Sequence, residues 1–337
     1  VIPADGAGRF SVDGGLGLIA SRLSVQGGIA DDRLTYLAAG RRTYADLFLP
    51  LAKNEIIKNT TINFYDLNAR LKWKVNDNNY LYLSLYNGRD RFRISDMGLK
   101  FGNAATAINW NHAISDRLFM RFFTTYTNYD YDFQGSTSEM DLEWISRIQD
   151  AGLRVDFSFI PDQKNVFEFG YTSNFQWFQP GKAIGTGTIG TGAKVEQDIT
   201  MSRRQGFVNV VYFSNEHKLF GHRIELRYGL RFTRFDNVGP TTLYQVDEQY
   251  NLIDEEGTEI PSGQFFHHRY GWEPRLGLSF LVTPELSLKT SYSRTLQYVH
   301  LLSFSSAGSP MEIWIPSGPS ILPQASHQIS AGIFANL

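Results

Sequence analysis

The sequence predicts an all-β fold, an antiparallel up-and-down barrel that crosses a membrane, and three observations predict it. Apolar and polar residues alternate with period two along most of the 337 residues. Shorter and longer connections take turns between the alternating segments. Aromatic residues reach 14% while the whole hydrophobic set is only 42%, so the chain is aromatic-rich without being greasy.

Taken in order, the alternation predicts about thirteen strands, near residues 14–26, 33–43, 61–75, 80–93, 101–114, 118–133, 141–160, 166–178, 199–213, 223–237, 267–281, 285–298 and 327–337. In the fourth-last and third-last of these the two faces differ plainly. Ile224, Leu226, Tyr228, Leu230 and Phe232 oppose Arg223, Glu225, Arg227 and Arg231, while Trp272, Leu276, Leu278 and Phe280 oppose Glu273, Arg275, Gly277 and Ser279. Leu288 continues the apolar set opposite Lys289 in the next segment, and Leu67, Leu71 and Trp73 oppose Asp66, Arg70 and Lys72 nearer the start. Residues 44–57 are the only helical candidate, and Pro274, which cannot donate to a ladder, predicts a bulge near it.

The connections at 27–32, 76–79, 115–117, 161–165, 214–222 and 283–284 are read as turns at one end; those at 44–60, 94–100, 134–140, 179–198, 238–266 and 299–326 are read as loops at the other. Short turns on one side, long loops on the other, an apolar outer set and a polar inner set are the four marks of a transmembrane β-barrel. Strands of about 13 residues exceed both the globular mean of about 5 to 6 and the 9 to 11 or so that cross a bilayer. A soluble sandwich or propeller explains the alternation but not long strands with one-sided loops. Thirteen is odd, single-chain bacterial barrels close with an even number, and the chain stops within a strand pattern at 333–337. The reading therefore expects further strands beyond this chain.

Composition excludes several functions. The net charge of -2 leaves no basic excess for a phosphate backbone, so no nucleic-acid partner is expected. With no cysteine, thiol catalysis, disulfides and Cys-ligated metal sites are absent. No apolar run approaches the 18 or so residues of a membrane helix, and the chain opens at Val1 without a leader, which marks a processed chain or an internal piece.

Two stretches resemble the TonB-dependent outer-membrane receptors and transporters, in their Bacteroidota branch: residues 21–48, with a Gly-Arg-Arg-Thr-Tyr ending, and residues 272–303 followed by Trp314-Ile315-Pro316-Ser317 and Pro323-Gln324. That resemblance implies a barrel of about 22 strands of which this chain supplies part, located in the bacterial outer membrane. It further implies a plug domain and a periplasmic energy-transducing TonB protein as partners, with outer-membrane lipid around the barrel. A surface lipoprotein is a possible further partner. The implied activity is capture of a scarce nutrient at outer loops and its import, the ligand being a small molecule such as an iron chelate or cobalamin, an oligosaccharide or a peptide. The alternative is a passive porin-like or secretion-associated barrel; a soluble adhesin or carbohydrate-binding module accounts for loops and aromatics but not for the lipid-type face.

No residue pattern supports an enzyme or a resident cofactor. His267 and His268 are neighbours on a strand and point to opposite faces, residues 254–257 lack the spaced ligands of a calcium loop, and the glycine-rich 185–192 lacks the strand-then-helix setting of a phosphate cradle. Functional content lies in ten charges of one parity, Asp66, Arg70, Lys72, Arg154, Asp156, Arg227, Arg231, Glu273, Arg275 and Lys289. They are expected to face a lumen, where the resemblance implies contact with a plug and a transport path. Trp177, Phe178, Tyr244, Tyr250, Phe265, Phe266, His267 and Trp314, at or near the loops, are candidates for contacting a captured ligand, with some expected in the interfacial aromatic girdle instead.

Overall fold

A computed structural model describes residues 9–136, 140–188, 194–245, 247, 253, 256–302 and 313–335. Its strands are β1 (Ser11–Leu16), β2 (Ala20–Ile29), β3 (Leu34–Thr43), β4 (Thr61–Asn76), β5 (Asn79–Ile94), β6 (Met97–Ser115), β7 (Leu118–Ser136), β8 (Met140–Phe159), β9 (Asn165–Thr188), β10 (Lys194–Thr200), β11 (Arg204–Leu219), β12 (Ile224–Val238), β13 (Thr241–Leu243), β14 (Thr258–Ile260), β15 (Phe265–Thr283), β16 (Leu286–Gln297), β17 (Val299–Leu302), β18 (Ile313–Pro316) and β19 (Gln324–Ala335). One helical turn, α1 (Glu55–Lys58), stands between β3 and β4, capped by Asn54, whose Oδ1 accepts from the Ile56 amide at 2.9 Å.

Fourteen strands form one antiparallel meander in the order β1 to β9, β11, β12, β15, β16, β19, with β10 pairing β9 alone. The residue that alternates in sequence therefore repeats across the sheet. One ladder row runs Trp73, Leu81, Trp110, Phe122, Val155, Tyr171, Val211, Phe232, Trp272 over nine strands from β4 to β15. The neighbouring row on the opposite face runs Lys74, Tyr80, Asn111, Arg121, Asp156, Gly170, Tyr212, Arg231, Glu273. Trp73, Tyr171 and Trp272 are exposed, as side chains on a face without a protein layer over it must be.

At one end of the sheet the turns are closed by their own side chains. Asn76 Oδ1 accepts from the Asn78 amide at 3.0 Å, Ser115 Oγ from the Leu118 amide at 3.1 Å, and Asp162 Oδ1 from the Lys164 amide at 2.7 Å. At Asp162 that backbone N–H holds the carboxyl below its ordinary value. The turn after β2 instead places Ala30, Asp31 and Asp32 at positive φ, 56°, 53° and 64°.

Several expectations are corrected. Residues 14–26 are not one strand; Gly14, Gly15 and Gly17 lead into a turn at 17–19, and β1 folds back on β2. Residues 94–100 are not a long loop, and the described residues of 134–140, namely 134–136 and 140, are strand. The chain between β5 and β6 is only Ser95 and Asp96, because β6, β7 and β8 run 19, 19 and 20 residues. Residues 179–198 are largely the extended end of β9 and its return arm β10, so the described part of the glycine-rich run, through Thr188, is strand. Residues 214–219 belong to β11, leaving a short turn before β12. The helical candidate 44–57 amounts to two 3-10 turns and α1. Pro274 pairs with Leu230 without a bulge. The ladder to β16 begins one residue later at Arg275, so the missing donor falls where no partner strand is bonded, while the bulges of the two β15 ladders lie at Asn237/Val238 and Leu281/Thr283.

Strand length has a physical meaning here. At about 3.3 Å per residue a strand as long as β8 extends about 66 Å, about 47 Å in height at a 45° tilt, against a hydrocarbon core of about 30 Å. The apolar face changes character accordingly toward the loop end: along β5 it reads Leu81, Leu83, Leu85, then Asn87, Arg89, Arg91, and ion pairs Arg89–Asp130 (2.8 Å), Lys100–Asp132 (3.2 Å) and Arg234–Asp236 (2.9 Å) stand on it there.

Candidate functional site

The ladder places all ten charges of common parity on one face. They are spread over β4, β8, β12, β15 and β16, and the densest part lies where β8, β9, β11, β12 and β15 meet. There a concavity of about 670 Å³ is lined by Arg154, Tyr212, Glu216, Arg227, Arg231 and Glu273 among others. Arg154 Nε donates to Asp156 at 2.8 Å, and Tyr212 Oη donates to the same carboxylate at 2.6 Å. Arg227 is held between Glu216 (3.1 Å) and Glu225 (2.6 Å). Arg231 lies 3.5 Å from Glu273, which is buried and also accepts from Thr233 Oγ1 at 3.0 Å. Asp66 pairs with Arg41 on β3.

Four of the seven basic groups among these ten stand apart from acidic partners. Lys289 lies over the Phe334 ring at 4.9 Å and Lys72 over the Tyr80 ring at 5.9 Å, and among the described residues Arg70 and Arg275 make no ion pair. The face thus mixes internally neutralised pairs with cations that have no ionic partner, of which Arg275 lines the concavity. Glu216, Tyr212 and Thr233 were not singled out from sequence. Glu216 lies on the face of the ten but falls in the segment 214–222 that reads as a turn; Tyr212 sits in the apolar run Val210-Val211-Tyr212-Phe213, where its hydroxyl gave no signal.

The loop end of this face is covered by the chain itself. β17 and β18 pair with each other, and β18 contacts β8, β9 and β11. Tyr298 stacks on Phe235 (5.2 Å, 14° between planes), Asn237 Nδ2 donates to the Ser317 carbonyl at 2.8 Å, and Phe235, Phe178 and Ile313 are buried. His300 Nε2 lies 2.8 Å from Ser317 Oγ, and burial lowers its pKa from the ordinary 6.5.

The aromatic candidates separate. Trp177 and Phe265 are on the apolar face, joined through Phe175 and Phe207 by ring contacts of 4.7, 5.8 and 6.1 Å, a cluster suited to a membrane interface. Phe178 is on the charged face but buried; Phe266 is the extra residue of the Asn237/Val238 bulge; His267 pairs with Asn237 and His268 with Asp236, on opposite faces as expected. Tyr244 is exposed and Trp314 half-buried on β18. Tyr250 lies outside the described residues, as do Asp254 and Glu255. Among the described residues no group of three or more His, Asp or Glu could hold a metal ion, and no helix is long and apolar enough to cross a membrane.

A long-stranded meander with one continuous apolar face and one charged face is the build of a transmembrane β-barrel. Residues 22–333 match the family described as TonB dependent receptor-like, beta-barrel, and the chain belongs to that family. Among solved structures it is similar to the ferric preacinetobactin receptor of Acinetobacter baumannii (TM-score 0.63, 10% identity, 94% of this chain and 50% of that one). It is also similar to the copper transporter OprC (0.66, 12%, 98% and 52%) and to the ferric yersiniabactin uptake receptor of Yersinia pestis (0.61, 10%, 94% and 50%). The chain spans about half the length of these structures. No curated protein matches it by sequence. The family is one of receptors and transporters rather than enzymes.

Proposed function

We propose that this chain is part of the barrel of an outer-membrane, TonB-dependent importer, with the apolar face against lipid and the charged face lining the lumen. The observation that carries it is the pair of adjacent ladder rows from β4 to β15, one wholly apolar and aromatic, the other carrying Arg121, Asp156, Arg231 and Glu273, in a chain that belongs to this receptor family. On this reading the short turns are periplasmic and the long loops external. Arg70 and Arg275 would meet the plug or the passing ligand, and the β17–β18 hairpin would narrow the outer mouth. The complete protein would have about 22 strands, a plug domain and a TonB partner, with a surface lipoprotein as a further candidate partner, and the stretches at 21–48 and 272–303 support the Bacteroidota branch. The relatives named above take ferric chelates or copper; the ligand here is a scarce nutrient of the same general kind, an oligosaccharide or a peptide.

Uptake tests this. A strain deleted for the gene, offered iron chelates, copper, cobalamin, oligosaccharides and peptides singly, should lose uptake of one, and removal of the energy-transducing protein should abolish the same uptake. Uptake that persists without energy coupling would favour the passive barrel instead.

A further inference from the structure

On the apolar face, at its loop end, Arg42 of β3 and Arg89, Arg91 and Arg93 of β5 gather beside Lys100 of β6. Cross-strand register brings Arg42 and Arg89 each opposite Tyr65 and sets Arg91 opposite Lys100. Arg89 is paired with Asp130 and Lys100 with Asp132, while Arg42, Arg91 and Arg93 are exposed and, among the described residues, have no acidic partner. Asp46, between β3 and β4, accepts from Asn63 Nδ2 at 3.0 Å and pairs with none of these arginines. The patch therefore keeps a positive excess.

Two adjoining hollows run down from it. The upper, about 620 Å³, is lined by Arg42, Arg89, Arg91 and Tyr65; the lower, about 700 Å³, is lined by Ala38, Ala69, Ala104, Leu85 and Tyr126; Leu23, Gly40 and Leu67 line both. Small side chains make the lower hollow a groove within the band of leucines, and at Gly40 an added Cβ would come within 3.0 Å of Leu67 Cδ2 and block its head. We infer that this surface binds one phosphate-bearing lipid of the outer leaflet, its acyl chain in the Ala38–Ala69 groove and its phosphate on Arg42 and Arg91. Guanidinium groups suit phosphate because they offer paired donors in a plane, and the groove supplies what free phosphate would not use. The inference rests on the outward orientation of the apolar face proposed above.

Native mass spectrometry of the full-length protein in detergent tests it, with dimyristoyl phosphatidic acid, dimyristoyl phosphatidylcholine and inorganic phosphate as probes. The protein should retain one phosphatidic acid in preference to phosphatidylcholine, and Arg42→Gln with Arg91→Gln should reduce that retention by roughly tenfold or more, as two basic groups at an anionic surface warrant. Ala69→Phe should reduce it while leaving the arginines in place, and circular dichroism should show unchanged strand content in both variants. Equal retention of the two lipids, unchanged retention in the variants, or displacement of the lipid by millimolar phosphate would overturn the inference. Membrane fractionation separates the two readings: a protein that sediments with the outer membrane yet shows no lipid preference defeats the site alone, and a protein absent from that membrane defeats the orientation.

Discussion

Tyr212 on β11 reaches over β9 to donate a 2.6 Å hydrogen bond to Asp156 on β8, and it does so across Gly170. A Cβ at Gly170 would sit 2.7 Å from the tyrosine ring and 2.9 Å from the Asp156 carboxylate. Three strands are tied on the charged face because the middle one has no side chain there.

Replacing Gly170 with Val should therefore cost about 1 to 3 kcal/mol through overpacking, and Tyr212→Phe about 1 kcal/mol through the lost hydrogen bond. In the Gly170→Val background Tyr212→Phe should become nearly silent, since the contact is already gone. Urea unfolding of the four proteins of that cycle from lipid vesicles is the measurement, and strict additivity would show that the two residues do not communicate.

Leu278, opposite Leu226, and Ser279, opposite Glu225 and Lys289, are neighbours on β15 with opposite faces. Leu278→Arg should cost about 2 to 4 kcal/mol near the bilayer midplane, and Ser279→Arg within about 1 kcal/mol because, in the orientation proposed above, it faces a wet interior. The same unfolding experiment reads both; a reversed order would exchange inside and outside.

Trp177 belongs to the aromatic cluster of the apolar face, Trp314 to the hairpin that covers the charged one. In variants retaining a single tryptophan, lipids brominated near the headgroup should quench Trp177 strongly and Trp314 weakly. Equal quenching would remove the girdle assignment.

His300 predicts the pH response of the hairpin. Its folded pKa is lowered by burial, so the unfolded or detached state takes up the proton more readily; the contact with Ser317 is at full strength above about 6.5 and weakens as pH falls below it. The protection of the amides at residues 299–302, with the intrinsic pH dependence of exchange divided out, should fall on acidification from pH 7.5 to 5.5, and His300→Asn should flatten that dependence.

Much of the architecture was legible because period-two patterning survives wherever one face is apolar. Leu226, Leu230, Leu276 and Leu278 could be assigned to one face from sequence, as could the ten charges opposite. The pattern fails where strands rise past the apolar band. At residues 94–100 the two-residue turn Ser95-Asp96 joins strands whose apolar face has become charged, with Arg91 and Arg93 before it and Lys100 after it, so paired backbone reads as loop. At 14–26 glycines erase the contrast between faces, and a turn passes for strand. Within the site, Arg154 and Glu273 were found by charge, but Tyr212 was hidden by its aromatic ring, and the burial of Phe178 depends on a hairpin more than a hundred residues away in sequence.

Apart from β9, which also carries its return arm β10, each strand of the meander bonds only to the strands before and after it along the path, and the turns at one end carry their own side-chain acceptors at Asn76, Ser115 and Asp162. Assembly then has a natural grammar. A hairpin is a complete instruction, needing no distant segment to set its register, and the edge it exposes is the template for the next. Loop-closure entropy is met in small instalments rather than at once, so the sheet can grow hairpin by hairpin from either edge as chain becomes available.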